Sequence, residues 1–172
     1  MKHLSIALSE YATTEISGEG NNPEVVKYAQ ENPAFSWVTQ DATAWCAIFA
    51  NWCLMKAGLP GTGKANARSF MEYGKRIELD DAKPGDVVVF WRGEPNGWQG
   101  HVSFYVNHDG KNIYCLGGNQ SDKVNIAPYS RKKLLTVRRV PEATTLMSID
   151  TKNLTDAEAI SLLLLGIKHF KK

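Results

Sequence analysis

Apolar residues recur at helical spacing through the first half of the chain and at strand spacing through the second. Leu4, Ala7, Leu8, Tyr11 and Ala12 share one face of a helix predicted over residues 3–16, which Gly18-Glu19-Gly20-Asn21-Asn22-Pro23 breaks. Pro23 suits the first turn of a short second helix through Val25, Val26, Tyr28 and Ala29. A third helix is predicted from about 44 to 57, with Thr43 as its capping residue and Gly58 as its stop, and a further one over residues 66–74 ends at Gly74. From Pro84 the period changes. Pro84-Gly85-Asp86 reads as a turn, and the β-branched and aromatic run Val87-Val88-Val89-Phe90-Trp91 reads as a buried strand. Residues 102–106 and 112–116 flank Asp109-Gly110, a hairpin signal, and the stretch from Ala127 to Val140 supplies one more strand around Leu134–Arg139. Helices followed by antiparallel strands predict an α+β domain with the helices packed on one face of the sheet.

The tail, Asn153 to Lys172, reads as an amphipathic helix with acids near its start and lysines near its end. Its stripe of Ile160, Leu163, Leu164, Ile167 and Phe170 is expected to pack on the domain, with membrane contact as the less favoured use. The chain of 172 residues, 43% hydrophobic, therefore divides into one domain over 1–145 and a C-terminal helix over 146–172. A net charge of +2 is too mild to argue for nucleic acid. The first ten residues lack the pattern of a signal peptide, and no apolar run reaches the ~20 residues of a membrane span. The expectation is a protein made in the cytoplasm, with any action elsewhere needing another export route.

Three cysteines are an odd number, and the two helical turns between Cys46 and Cys53 put them beyond disulfide reach, which argues against a disulfide framework. Cys46 instead falls in the first turn of the third helix, where free amides and the helix dipole favour a thiolate and can hold an oxyanion. Cys53 and Cys115 read as small buried hydrophobes. Of the four histidines, His101 alone follows a glycine at a strand entrance, so its ring can reach another element and serve as base for the thiol. Two amides close the next strand, in Gly117-Gly118-Asn119-Gln120. With 108 opposite 111, Gln120 lies on the histidine's side of the sheet; a slip of one residue brings Asn119 there. Asn119 is the preferred orienter, being the shorter and stiffer amide. Asp41 is expected to cap the third helix or support the site. Trp91, Trp98 and Tyr105 are candidates to line a substrate groove.

Two other signals are rejected. Gly58-Leu59-Pro60-Gly61-Thr62-Gly63-Lys64 has phosphate-loop spacing, but Ala65 stands where a magnesium-binding hydroxyl belongs. Cys46, Cys53, His101 and Cys115 lack the paired spacing of a zinc site, and the proposed chemistry needs no metal or cofactor.

Several segments in order carry a resemblance: Glu15-Ile16-Ser17-Gly18, Asn21-Asn22-Pro23, Trp45-Cys46-Ala47, Asn51-Trp52-Cys53, Ala67-Arg68-Ser69-Phe70, Pro84 to Gly93, Gly100-His101-Val102 and Leu116 to Ile126. Together they resemble the small bacterial and phage cell-wall hydrolases of the NlpC/P60 and CHAP superfamily, over about residues 8–140. The resemblance implies a papain-like fold and hydrolysis of amide bonds in peptidoglycan. Cys46 would be the nucleophile and His101 the base, with Asn119 or Gln120 orienting the ring. It departs from the family at Ala44, where members often have proline. The implied partner is peptidoglycan, with an immunity protein or delivery system if the protein is a secreted antibacterial effector in place of a phage lysin. A transglutaminase-type acyltransferase and a non-catalytic wall-binding domain are the alternatives.

Overall fold

The structure is a computed structural model and describes residues 1–141. The predicted C-terminal helix and the boundary at 145 lie outside the described residues. Three helices precede the sheet: α1 (Lys2–Ser9), α2 (Pro23–Gln30) and α3 (Cys46–Lys56). The first is shorter than its apolar pattern, because the chain leaves the helix at Glu10 and Ala12 adopts φ +71° to meet residue 124. Asn22 caps α2 by accepting from the Glu24 N–H, with Pro23 in the first turn as expected.

Every residue of α3 from Cys46 to Leu54 is buried, so the helix is not amphipathic but central. One side meets α1 and α2; the other meets the sheet. Its polar edges are satisfied at their tips. Trp45 Nε1 donates to Glu15 Oε2 at 2.8 Å, Trp52 Nε1 to Glu31 Oε2 at 2.7 Å, and Tyr28 Oη to Glu10 Oε2 at 2.8 Å. The rings of Tyr28, Trp45, Phe49 and Trp52 meet at centroid separations of 4.9–6.3 Å.

The six strands are β1 (Lys75–Ile77), β2 (Val87–Trp91), β3 (Gly100–His108), β4 (Asn112–Gly117), β5 (Asn125–Ser130) and β6 (Leu134–Arg139). They form one antiparallel sheet in the order β1-β6-β2-β3-β4-β5. The expected helices-on-one-face arrangement holds, with Val87, Val89, Val102, Phe104 and Leu116 facing the helices. Val88, Phe90, Tyr105, Ile113, Cys115 and Val137 form a second apolar cluster on the other face.

Four local expectations are corrected. Residues 67–72 form a 3-10 segment in place of an α-helix, with the Asn66 side chain accepting from Ser69 N–H. The region 125–139 holds two strands, not one; Pro128 is tolerated because β5 is an edge. Neither Thr43 nor Asp41 caps α3, whose N-cap is Trp45 with no side-chain bond. Asp41 instead accepts from the Ile16 and Asn22 N–H groups at 2.9 and 2.8 Å and ties the 16–22 loop to the core. Burial would raise its carboxyl, but these backbone donors outweigh that and hold it below the usual value.

The end of β4 passes very close to α3. A Cβ on Gly118 would stand 2.3 Å from the Trp45 ring and 2.8 Å from Phe49, and one on Gly117 would stand 2.6 Å from Ser103 Cβ. The obstacles at Gly118 are rigid aromatic rings in a filled core, so Gly118→Ala should destabilise the protein by about 1–3 kcal/mol, measured by denaturant melts. Unchanged stability would show that the strand end can move away from α3.

Two histidines are buried in this core: His3, bonded to Gly85 O at 2.8 Å, and His101, fully inaccessible. Burial lowers His3 despite the Gly85 contact, and burial followed by the nearby Arg92 charge pushes His101 down to about 3. A histidine depressed on folding takes up its proton first in the unfolded chain. The stability present above about pH 6.5 should therefore fall as the pH drops toward the carboxylate range. Melting temperature should decline over that window, and less steeply in His101→Gln; equal slopes would contradict the assignment.

Candidate active site

Cys46 opens α3 and β3 runs past it. The thiol lies against the backbone of Val102, the residue after His101, and near the amides of Cys46 and Ala47 in the first helical turn. The helix start and the histidine strand are thus adjacent, as the order of motifs anticipates. The expected thiolate is not the resting form, however. Cys46 is 8% exposed, and burial raises its thiol above the usual value despite the Val102 contact, the Arg92 charge and the helix amides. Both partners rest neutral, with the thiol protonated and the imidazole not.

His101 is held from two directions. Its ring stacks on Tyr129 at 4.7 Å with an interplanar angle of 10°, and Tyr129 stacks in turn on Phe90 at 4.8 Å. Nε2 meets Gln120 Oε1 at 3.0 Å, so the amide oxygen accepts and the proton of the neutral ring sits on Nε2. Nδ1 is left buried with no hydrogen-bond partner and retains a lone pair for a proton. Such a free nitrogen is what a general base requires.

Gln120, not Asn119, is therefore the residue against the imidazole. The hairpin loop is longer than expected: Asp109 Oδ1 accepts from the Lys111 and Asn112 N–H groups, and His108 pairs with Ile113. A bulge at Val106 then shifts the ladder to Phe104 opposite Leu116. Carried on, that ladder would set 101 opposite 119. β4 ends at Gly117, though, and Asn119 takes φ +56°, followed by Ser121 at +54° and Asp122 at +60°. This left-handed turn breaks the alternation of side chains and turns Gln120 inward. Its Nε2 donates to Asn125 O at 2.6 Å and to Cys115 O at 3.3 Å, fixing the amide so that its oxygen faces His101.

The open cleft beside the thiol, about 530 Å³, is lined by Thr43, Cys46, Asn66, Arg92, Trp98 and Gln99, among others. Of the three aromatic candidates it contains Trp98 alone. Trp91 donates to Lys132 O at 3.3 Å beneath Lys133, and Tyr105 is buried in the second apolar cluster with its hydroxyl 2.7 Å from His108 Nδ1. Asp41 is occupied by the 16–22 loop and serves the site only by support. The sequence reading singles out neither Arg92 nor Arg68. Arg68 donates to the carbonyls of Gln99, Glu94 and Pro95 at 2.9, 3.2 and 3.0 Å and clamps the β2–β3 loop that forms one cleft wall. The available signal was a cation directly after a buried strand, at Trp91-Arg92.

The Gly58–Lys64 segment has a structural use. Asn51 Oδ1 accepts from the Thr62 and Gly63 N–H groups, and a Cβ on Gly61 would lie 2.2 Å from that oxygen. Among the described residues no three His, Cys, Asp or Glu side chains are grouped to hold a metal.

The CHAP domain family model matches residues 38–119. No curated protein sequence matches the chain. Solved structures do. An NLP/P60-family lipoprotein-like protein of Staphylococcus aureus superposes with a TM-score of 0.50 at 19% identity, over 81% of this chain and 41% of that one. The peptidoglycan hydrolase RipB of Mycobacterium tuberculosis gives 0.50 at 16%, over 81% and 65%. RipD of the same organism, a non-catalytic NlpC/p60 domain protein adapted to peptidoglycan binding, gives 0.50 at 15%, over 82% and 99%. The chain thus spans less than two thirds of the length of the first two. At these identities the likeness is one of fold, the mixed helix-and-antiparallel-sheet architecture of NlpC/P60 domains. Cys46, His101 and Asn119 lie inside the segment similar to the CHAP domain or at its end, and the fold is the one shared with NlpC/P60 domains.

Proposed function

We propose that this protein is a cysteine peptidoglycan hydrolase, an amidase or endopeptidase that cuts amide bonds of wall peptides. The observation that carries the reading is the His101 ring, tied through Nε2 to Gln120 with Nδ1 free, on the strand that passes the helix-start thiol. His101 Nδ1 takes the proton of Cys46 as Sγ attacks the amide carbonyl, and the first-turn amides of α3 face the developing oxyanion. The imidazolium then protonates the leaving amine, which departs and leaves a thioester. A water molecule, deprotonated by His101, attacks the thioester carbonyl and releases acid and thiol. Because both groups rest neutral, proton transfer accompanies substrate engagement. Tyr129 and Gln120 keep the ring in place throughout.

A binding role without catalysis, as in RipD, and acyl transfer to an amine are the competing uses of such a cleft. A helix-start thiol against the strand that carries an imidazole with one nitrogen free supports chemistry over binding alone. A wall hydrolase of this kind would act in the bacterial envelope, as a phage lysin or as a delivered antibacterial effector countered by an immunity protein.

Mass spectrometry of fragments released from purified peptidoglycan is the decisive measurement. Wild-type protein should release peptides bearing a new carboxylate, and Cys46→Ala should release none while melting normally. Products carrying an added amine would indicate a transferase, and release by Cys46→Ala would end the reading.

Gln120→Ala should lower kcat/KM by about 10-fold or more, whereas Asn119→Ala should cost less. Gln120→Glu keeps an acceptor on Nε2 and should restore part of the loss. Its added charge favours imidazolium, so the acid limb of the pH profile should also move upward. A larger loss in Asn119→Ala would transfer the orienting role. Alkylation of Cys46 by iodoacetamide should be slower at neutral pH than that of a free cysteine and should speed up with rising pH, since burial raises its thiol. Rapid alkylation that does not vary with pH would show a preformed thiolate.

A further inference from the structure

We propose that Arg92 sets the specificity of this cleft by pairing with a free carboxylate on the peptide beside the amide that Cys46 attacks. The inference rests on the hydrolase reading above and names the kind of substrate it takes. Arg92 is the first residue after β2, and its N–H donates to Gln99 O at 3.3 Å where the loop returns to β3. It lines the cleft with Cys46. Its guanidinium lies near the hydroxyl of Tyr129, whose ring is stacked on His101. The loop is held by the Arg68 clamp, so the position of Arg92 is set before substrate arrives.

Among the described residues no acid answers this cation. Arg131, Arg138 and Arg139 approach Asp80, Glu72 and Asp86, and Arg68 is used on three carbonyls. Arg92 enters no ion pair among the described residues. A guanidinium presents a planar fork suited to a carboxylate. Its position also bears on the chemistry. Its charge opposes the imidazolium that His101 must become when it takes the thiol proton. A carboxylate bound to Arg92 cancels that opposition, so the anchor favours both binding and proton transfer. Trp98, on the same loop and 80% exposed, offers an apolar surface to the adjoining part of the peptide.

The test uses two synthetic stem tetrapeptides that differ at one group, the α-carboxyl of the γ-linked D-glutamate, free in one and amidated in the other. With the full chain, kcat/KM should favour the free carboxylate by about 10-fold or more. Arg92→Gln should remove most of that preference by slowing the carboxylate peptide, while the amide peptide, relieved of the charge that opposes the imidazolium, is cut no more slowly than by the wild type. Arg92→Lys should fall between. No preference in the wild type, or equal losses on both peptides in Arg92→Gln, would overturn the proposal. Failure of the hydrolase reading looks different: neither peptide is cut and Cys46→Ala behaves like wild type. Calorimetric binding of the same two peptides then decides. Carboxylate-selective binding that Arg92→Gln abolishes sustains Arg92 as the anchor, and binding that is absent or indifferent to the carboxylate rejects it.

Discussion

The close approach of the β4 end to the start of α3 is the constraint on which the site depends. A helix buried on all sides can present its first residue to a strand only if nothing intervenes, and Gly118 removes the side chain that would. Trp45 and Phe49 occupy the space that a Cβ on Gly118 would claim. With that contact made, the thiol of Cys46 lies against the backbone beside His101, and the turn after Gly118 delivers Gln120 to the imidazole. Trp45 is tied at its tip to Glu15, and Asp41 ties the neighbouring loop, so the helix start is held from both sides.

Burial governs the electrostatics that result. Taken into the core, the thiol is pushed up and the imidazole down, so the free protein holds a neutral pair. The stack of Phe90, Tyr129 and His101 and the bond to Gln120 fix the geometry of the imidazole, and the nearby Arg92 charge adds to the effect of burial on it.

The turn over residues 119–122 shows how the His101 ring is oriented. Three residues other than glycine adopt positive φ there, a cost that surrounding contacts must offset. The Gln120 amide, bonded to Cys115 and Asn125 while accepting from His101, supplies such contacts. Backbone strain and the orientation of the imidazole thus coincide in one short segment.

Local pattern alone determined much of this protein: the three helices, the buried β2, the hairpin about Asp109, and the placing of a cysteine at a helix start and a histidine at a strand start. These follow from periodicity, turn chemistry and motif order, all of which act within a few residues. Tertiary structure decided the rest. The edge strands β1 and β5 were illegible because one is short and charged and the other contains Pro128, and an edge imposes no apolar code. The choice of Gln120 over Asn119 depended on a bulge and a left-handed turn, neither of which alternation can register. Asp41 became a loop tie, and Trp91 and Tyr105 left the groove, because a side chain's neighbours come from distant segments. Likewise the neutrality of Cys46 and His101 is a property of depth, which the packing of the whole domain sets and no stretch of sequence encodes.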